Sequence, residues 1–173
     1  MASEATIRQA MPPDAGVVAD ILNEAARWLD QAGMPMWKAD ELVSERISAD
    51  VGLGLFFLAE SSGEPAGTVK FQLGDAIFWP DASQDDAAYV HRLAIRRRFA
   101  GTGLSSALLR WAVERTRDLG RAYLRLDCEA DRRQLREFYE SFGFRYHSDR
   151  HVGPYHVSRY EYGLSDGGAA PRQ

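Results

Sequence analysis

The segment YVHRLAIRRRFAGTGLSSALLRWA, residues 89–112, constrains this chain more than any other stretch. Residues 89–95 alternate as a strand, which places Tyr89, His91, Leu93 and Ile95 on one face. Residues 96–103 form a basic turn that holds Gly101 and Gly103. Leu104, Leu108, Trp111 and Ala112 then recur at helical spacing, so a helix begins at the glycines. A strand, a basic turn and a helix N-terminus together suit a phosphate. First-turn amides lack partners, and the helix dipole favours negative charge there. Glycine at 101 and 103 lets an anion approach the backbone and permits the dihedrals of a tight turn.

Two common phosphate loops do not fit. A P-loop needs Lys after its last glycine, where this chain has Leu104. A dinucleotide fingerprint needs a third glycine, where this chain has Ser106. What fits is Arg98-x-x-Gly101-x-Gly103 directly after a Leu93-Ala94-Ile95 strand end. This segment resembles the pyrophosphate loop of the GNAT superfamily of N-acetyltransferases. The resemblance implies acetyl-CoA as cofactor. Its pyrophosphate would lie on the loop Arg98, Phe99, Ala100, Gly101, Thr102, Gly103, Leu104 and Ser105, and its pantetheine arm would pair with Leu93, Ala94 and Ile95.

Composition bounds the reading. A chain of 173 residues with 45% hydrophobic content is the size of one domain with a full core. The one cysteine, Cys128, excludes an intramolecular disulfide and points to a reducing compartment. The first residues carry no apolar run like a signal peptide, and no stretch approaches a membrane span, so a soluble cytoplasmic protein without a membrane partner is expected. A net charge of −4 disfavours a general nucleic-acid binder. Asp75, Asp81, Asp85 and Asp86 form an acidic group opposite in sign to Arg96, Arg97 and Arg98. It reads either as a rim for a cationic substrate or as a solvated loop.

In chain order, residues 5–10 read as a strand, and Pro12, Pro13 and Asp14 start a helix whose apolar face is Val18, Ile21, Leu22, Ala25 and Leu29. A second helix is expected over 39–48, a hairpin over 55–60 and 66–73, and a loop over 74–86. After the helix that Gly120 ends come a strand at 123–128, a helix with Leu135, Phe138, Tyr139 and Phe142, and strands at 144–148 and 155–162. Residues 165–173 read as a frayed tail. The expectation is an α/β fold with one mixed central sheet flanked by helices, a three-layer sandwich, in a domain spanning 1–164. The same order of elements is the order of the GNAT fold, and Phe138-Tyr139-Glu140 with Phe142-Gly143-Phe144 resembles the family's helix and Gly-Phe ending. One departure is Arg132, which stands where many members carry an asparagine. It reads as solvated or as reaching a cofactor phosphate.

The resemblance implies direct acetyl transfer to an amine, with no metal and no cysteine nucleophile. A primary amine with a pKa near 10.4 is neutral once in two or three thousand molecules at pH 7, a cost of roughly 4.6 kcal/mol. A base must offset that. Tyr139 matches the family's tyrosine that protonates the leaving thiolate, and His91 has a useful pKa for a base. Tyr89, His91, Asp127, Tyr155 and Trp37 are the candidate substrate contacts, with Glu129 a second strand-end carboxylate. Trp28 and Trp79 lie in segments on the family's acceptor side. Cys128 reads as a small buried hydrophobe. The leading function is an N-acetyltransferase for a small-molecule amine. Its alternatives are a non-catalytic acyl-CoA sensor and a protein or peptide N-acetyltransferase. The family often dimerises through its C-terminal strands, so a homodimer is compatible.

Overall fold

The computed structural model describes residues 4–83 and 85–164; the tail read at 165–173 lies outside them. The chain opens with β1 (Thr6–Gln9), a 3-10 turn at Pro12–Asp14 and α1 (Ala15–Gln31). Arg8 ties this start together, donating to Asp14 at 2.8 Å and to Glu60 at 3.0 Å. The single helix expected over 39–48 divides into a 3-10 turn at Ala39–Leu42, an extended Val43 and α2 (Ser44–Gly52). The reason lies in the apolar spacing. In one straight helix Leu42 and Ile47 would point about 140° apart. The break at Val43 lets both be buried, with Val51.

β2 (Phe56–Ser61) and β3 (Glu64–Gln72) form the expected hairpin. Its two turn residues, Ser62 and Gly63, both have positive φ, which matches the twist of the flanking strands. Then come β4 (Ala87–Ile95), α3 (Leu104–Asp118), β5 (Tyr123–Glu129), α4 (Arg133–Phe142), β6 (Arg145–Val152) and β7 (Tyr155–Gly163). The seven strands run in the order β1-β2-β3-β4-β5-β7-β6. β4 and β5 pair in parallel from Ala87↔Tyr123 to Tyr89↔Arg125, while β5 with β7 and β6 with β7 are antiparallel. The mixed sheet and the order of elements are those expected from the sequence. No helix among the described residues is long and apolar enough to cross a membrane.

The chain divides into two compact units. Of the described residues, the first comprises those up to Phe71 with Arg92–Trp111, the second those of Gln72–His91 with those from Ala112 to Leu164. In the first, Val18, Ile21 and Leu22 of α1 pack with Ile47, Val51, Phe56 and Leu58. Phe57, Phe71 and Trp111 form a separate aromatic contact, with ring centroids 4.4 to 6.3 Å apart. In the second, Trp79, Ala87 and Tyr89 form a buried group. Tyr139, Phe144 and Tyr160 form another, with Phe142 and Tyr162 beside it. Gly143, at φ 125°, ends α4, and a Cβ there would meet the Tyr162 ring at 3.0 Å. Only glycine satisfies both conditions.

Candidate active site

The basic turn is built in the first unit. Arg97–Phe99 make one 3-10 turn, Gly101 and Gly103 follow at φ 76° and 83°, and α3 starts at Leu104. The first bond into the helix runs from the Ala107 amide to the Gly103 carbonyl at 3.0 Å. The amides of Leu104, Ser105 and Ser106 therefore precede the intrahelical ladder. A Cβ added at Gly101 or Gly103 would meet nothing within 4 Å, so the backbone here fronts open space that a side chain would otherwise fill. Amides without helical partners, positive dipole and bare backbone fit an anionic pyrophosphate.

The three arginines of the turn are each engaged. Arg97 lies 3.8 Å from the Trp28 ring centroid, and its amide donates to Glu24 at 2.9 Å. Arg96 donates to the Pro65 carbonyl at 3.0 Å, and Arg98 to Glu64 at 2.8 Å. The three arginines with Glu24, Glu64 and Pro65 line an open groove of about 510 Å³. The Arg98–Glu64 pair is exposed on both sides, and such pairs exchange at little cost. Just upstream, Ala94 is buried in the core, while Leu93 and Ile95 are half-buried. Arg92 carries φ 55°, a left-handed conformation uncommon outside glycine. Such a residue breaks the two-residue alternation of a strand. The expectation that Tyr89, His91, Leu93 and Ile95 share one face therefore does not carry across Arg92.

The second unit assembles a polar group around His91. Its Nε2 lies 2.9 Å from Asp75 Oδ2, and its Nδ1 lies 3.7 Å from Asp127 Oδ1. Asp75 is almost fully buried, and its other oxygen accepts the amides of Ile77 at 3.1 Å and Phe78 at 2.9 Å. Burial pushes the Asp75 carboxyl up, but the His91 bond and charge with the two backbone amides outweigh it and hold it below the usual carboxylate range. Phe78 bridges His91 to Tyr155, with ring centroids 6.1 and 6.4 Å away. Of the candidates in this unit, then, His91, Asp127 and Tyr155 are brought into one neighbourhood.

Tyr139 is buried on α4 against Phe138, Phe144 and Tyr160. Burial, reinforced by the nearby Cys128 and Asp127, raises its hydroxyl well above the ordinary phenol range. Burial likewise pushes the Cys128 thiol up to about 12, which leaves it protonated and unreactive. Trp37 packs half-buried on the first core, with the Arg92 guanidinium 5.6 Å from its ring.

Several sequence expectations change. Tyr89 is fully buried, its ring beside Trp79 and its hydroxyl taking a bond from Arg125 at 3.1 Å. It is a core residue and offers no open face to a substrate. Trp79 is equally buried. Arg132 is not solvated: its side chain is mostly covered and donates to Glu129 at 3.1 Å. The acidic group is no free rim either, since Asp75 pairs with His91, Asp81 with Arg159 and Asp86 with Arg125. Those partners come from other strands, which local charge counting does not see. Asp75 was read only as one of that acidic group and not as the partner of His91, and Phe78 was missed as a neighbour of the site. Their one local signal is an aspartate two and three residues before amides it can cap, a common turn device with no functional mark.

Known proteins resemble this chain in sequence and in fold. Residues 19–144 match the acetyltransferase (GNAT) family. The chain is 30% identical over 141 residues to the uncharacterized N-acetyltransferase YesJ of Bacillus subtilis, covering 77% of each chain. Its fold matches a GNAT-family acetyltransferase of Listeria monocytogenes with TM-score 0.80 and 25% identity, over 95% of this chain and 98% of that one. It also matches yncA of Salmonella typhimurium, solved with its cofactor acetyl-CoA, with TM-score 0.71 and 19% identity over 98% and 99% of the two chains. Matched to the family over residues 19–144 and 30% identical to a relative across 77% of both chains, this protein belongs to the acetyltransferase (GNAT) family and is an N-acetyltransferase.

Proposed function

We propose that this enzyme moves the acetyl group of acetyl-CoA directly onto the primary amine of a small molecule. His91 serves as general base and Tyr139 as donor toward the departing sulfur. The observation that carries the acceptor side is His91 itself, bonded to one carboxylate at 2.9 Å and faced by another at 3.7 Å. A base so placed can offset the roughly 4.6 kcal/mol needed to neutralise an ammonium group at pH 7. Phe78 and Tyr155 beside it suit a small ligand, and the aspartates suit a cationic one. Acetyl-CoA, when bound, supplies the activated acetyl thioester.

The chain's own residues do the rest. The amides of Gly101 and of Gly103 to Ser105 would hold the pyrophosphate, and Arg98, now on Glu64, would be the side chain to meet a phosphate oxygen. Structures of this fold from Salmonella typhimurium and Thermoplasma acidophilum hold acetyl-CoA and coenzyme A, which supports the donor. Tyr139 keeps its proton, because burial opposes the phenolate, and so acts by hydrogen bonding. Cys128 stays a thiol and takes no acetyl group.

Calorimetric titration with acetyl-CoA, followed by thiol release over a panel of small amines and amine-bearing peptides, tests the reading. Micromolar binding with release driven by small amines is expected. No binding at near-millimolar cofactor, or release with peptides alone, would overturn it.

A further inference from the structure

We propose that Asp75 is a positioning residue that holds the Nε2–H of His91 and leaves Nδ1, facing Asp127, as the atom that deprotonates an acceptor arriving as its ammonium ion. This rests on the reading of His91 as base and names the form of substrate it takes. Both oxygens of Asp75 act as acceptors: Oδ1 from the Ile77 and Phe78 amides, Oδ2 at 2.9 Å from His91 Nε2. A carboxylate that accepts on both oxygens obliges the neutral imidazole to carry its hydrogen on Nε2. The depressed titration of Asp75 agrees with an ionised group there.

The lone pair then lies on Nδ1, and Asp127 Oδ1 is 3.7 Å from it. Two acceptors at that separation are matched by a positively charged donor able to serve both. A primary ammonium has three N–H bonds for the purpose. In the step itself one ammonium N–H bond breaks, its electron pair stays on the amine nitrogen, and the proton bonds to Nδ1. The resulting imidazolium lies between two carboxylates. A divalent cation is a poorer occupant. The donor atoms of Asp75, His91 and Asp127 lie within 4.8 Å of one another, but the imidazole ring stands between the two carboxylates, with a different nitrogen toward each. As the ring stands, each nitrogen faces one carboxylate only, and the EDTA control tests for an ion that would hold all three.

Asp75 also anchors its own turn, so a merely structural role must be separated. The variant Asp75→Asn does this. Its amide oxygen can still take the Ile77 and Phe78 amides, while its NH₂ turns to Nε2 and drives the ring hydrogen to Nδ1, as such replacements do to an oriented histidine. The experiment records ¹⁵N shifts of the His91 ring in the full chain, assigned with His91→Gln, at a pH where the spectrum itself shows the ring neutral, with methylammonium chloride as probe and EDTA as control. The wild type is expected to show a protonated Nε2 and a bare Nδ1, with Nδ1 alone shifting as methylammonium is added. Asp75→Asn is expected to reverse the tautomer while thermal midpoint and acetyl-CoA affinity hold. A wild-type ring protonated on Nδ1, an unchanged tautomer in Asp75→Asn, no response of Nδ1 to millimolar methylammonium, or a spectrum that EDTA alters would each overturn the proposal. Failure of His91 as base reads out separately, as undiminished turnover in His91→Gln while the wild type still shows the expected tautomer.

Discussion

In the proposed function, the glycine turn and the His91 group would recognise charge by opposite means. The turn uses backbone: Gly101 and Gly103 at positive φ and the first amides of α3, all within a few consecutive residues. The His91 group uses side chains from a loop, from β4 and from β5, which stand at 75, 91 and 127 in the sequence. A site made of local backbone tolerates almost any side chain but not the addition of one at its glycines. A site made of distant side chains tolerates changes of backbone neighbours but fails when one donor becomes an acceptor. Substitutions in the two should therefore separate cofactor binding from turnover.

The largest effect is expected at the turn. Gly101→Glu forces φ 76° on a residue with a Cβ, at a cost of order 1–3 kcal/mol. It also sets a carboxylate where the pyrophosphate would lie. Acetyl-CoA affinity should weaken by more than about 100-fold, since the strain alone reaches tenfold or more and like-charge repulsion adds to it. Calorimetry checks this, and binding within threefold of wild type would remove the cofactor from this turn. Next is His91→Gln, expected to lower kcat by about 10²–10⁴-fold, the usual range for loss of a general base, with acetyl-CoA affinity unchanged. An equal loss in both quantities would mean that His91 serves binding or folding instead.

That contrast also explains what could be read from the chain. Strand, turn and helix at 89–112 announce themselves because every element of that site is local, so residue type and spacing carry it. The same holds for Gly120 and Gly143, whose positive φ ends two helices. His91 was legible only as a residue type. Its partner Asp75 lies in a loop without periodicity, and nothing near it in sequence states that it will meet β4. Tyr89 misled for the same reason: strand alternation assigns a face, but burial is decided by Arg125 and Trp79 from other elements. The left-handed Arg92 within β4 has no residue-type signature at all, since glycine, the usual marker, is absent.

Tyr139→Phe should have a middling effect. The hydroxyl, held protonated by burial, can stabilise a departing sulfur by one hydrogen bond, worth about 1–1.5 kcal/mol and so roughly tenfold in kcat. The phenylalanine ring keeps the contacts with Phe144 and Tyr160, so thermal stability and acetyl-CoA affinity should hold. Single-turnover kinetics with saturating cofactor isolates the step. Equal rates would leave Tyr139 a packing residue.

The smallest effect is expected at Arg98, and its smallness is the sharpest test of the comparison. If backbone amides do most of the holding, a single exposed arginine adds little. Its guanidinium must also leave Glu64, with which it makes a bond of 2.8 Å, so part of any gain is offset. Exposed pairs of this kind contribute about 0–1 kcal/mol, so Arg98→Ala should raise the acetyl-CoA Kd by no more than about fivefold. Glu64→Gln, which frees the arginine, should lower the Kd slightly, and both differences should shrink as salt is added. Titrations of the two variants at low and high ionic strength check this. A loss at Arg98→Ala as large as that of Gly101→Glu would mean that the pyrophosphate is held by side-chain charge, and the two regions would then differ in place but not in kind.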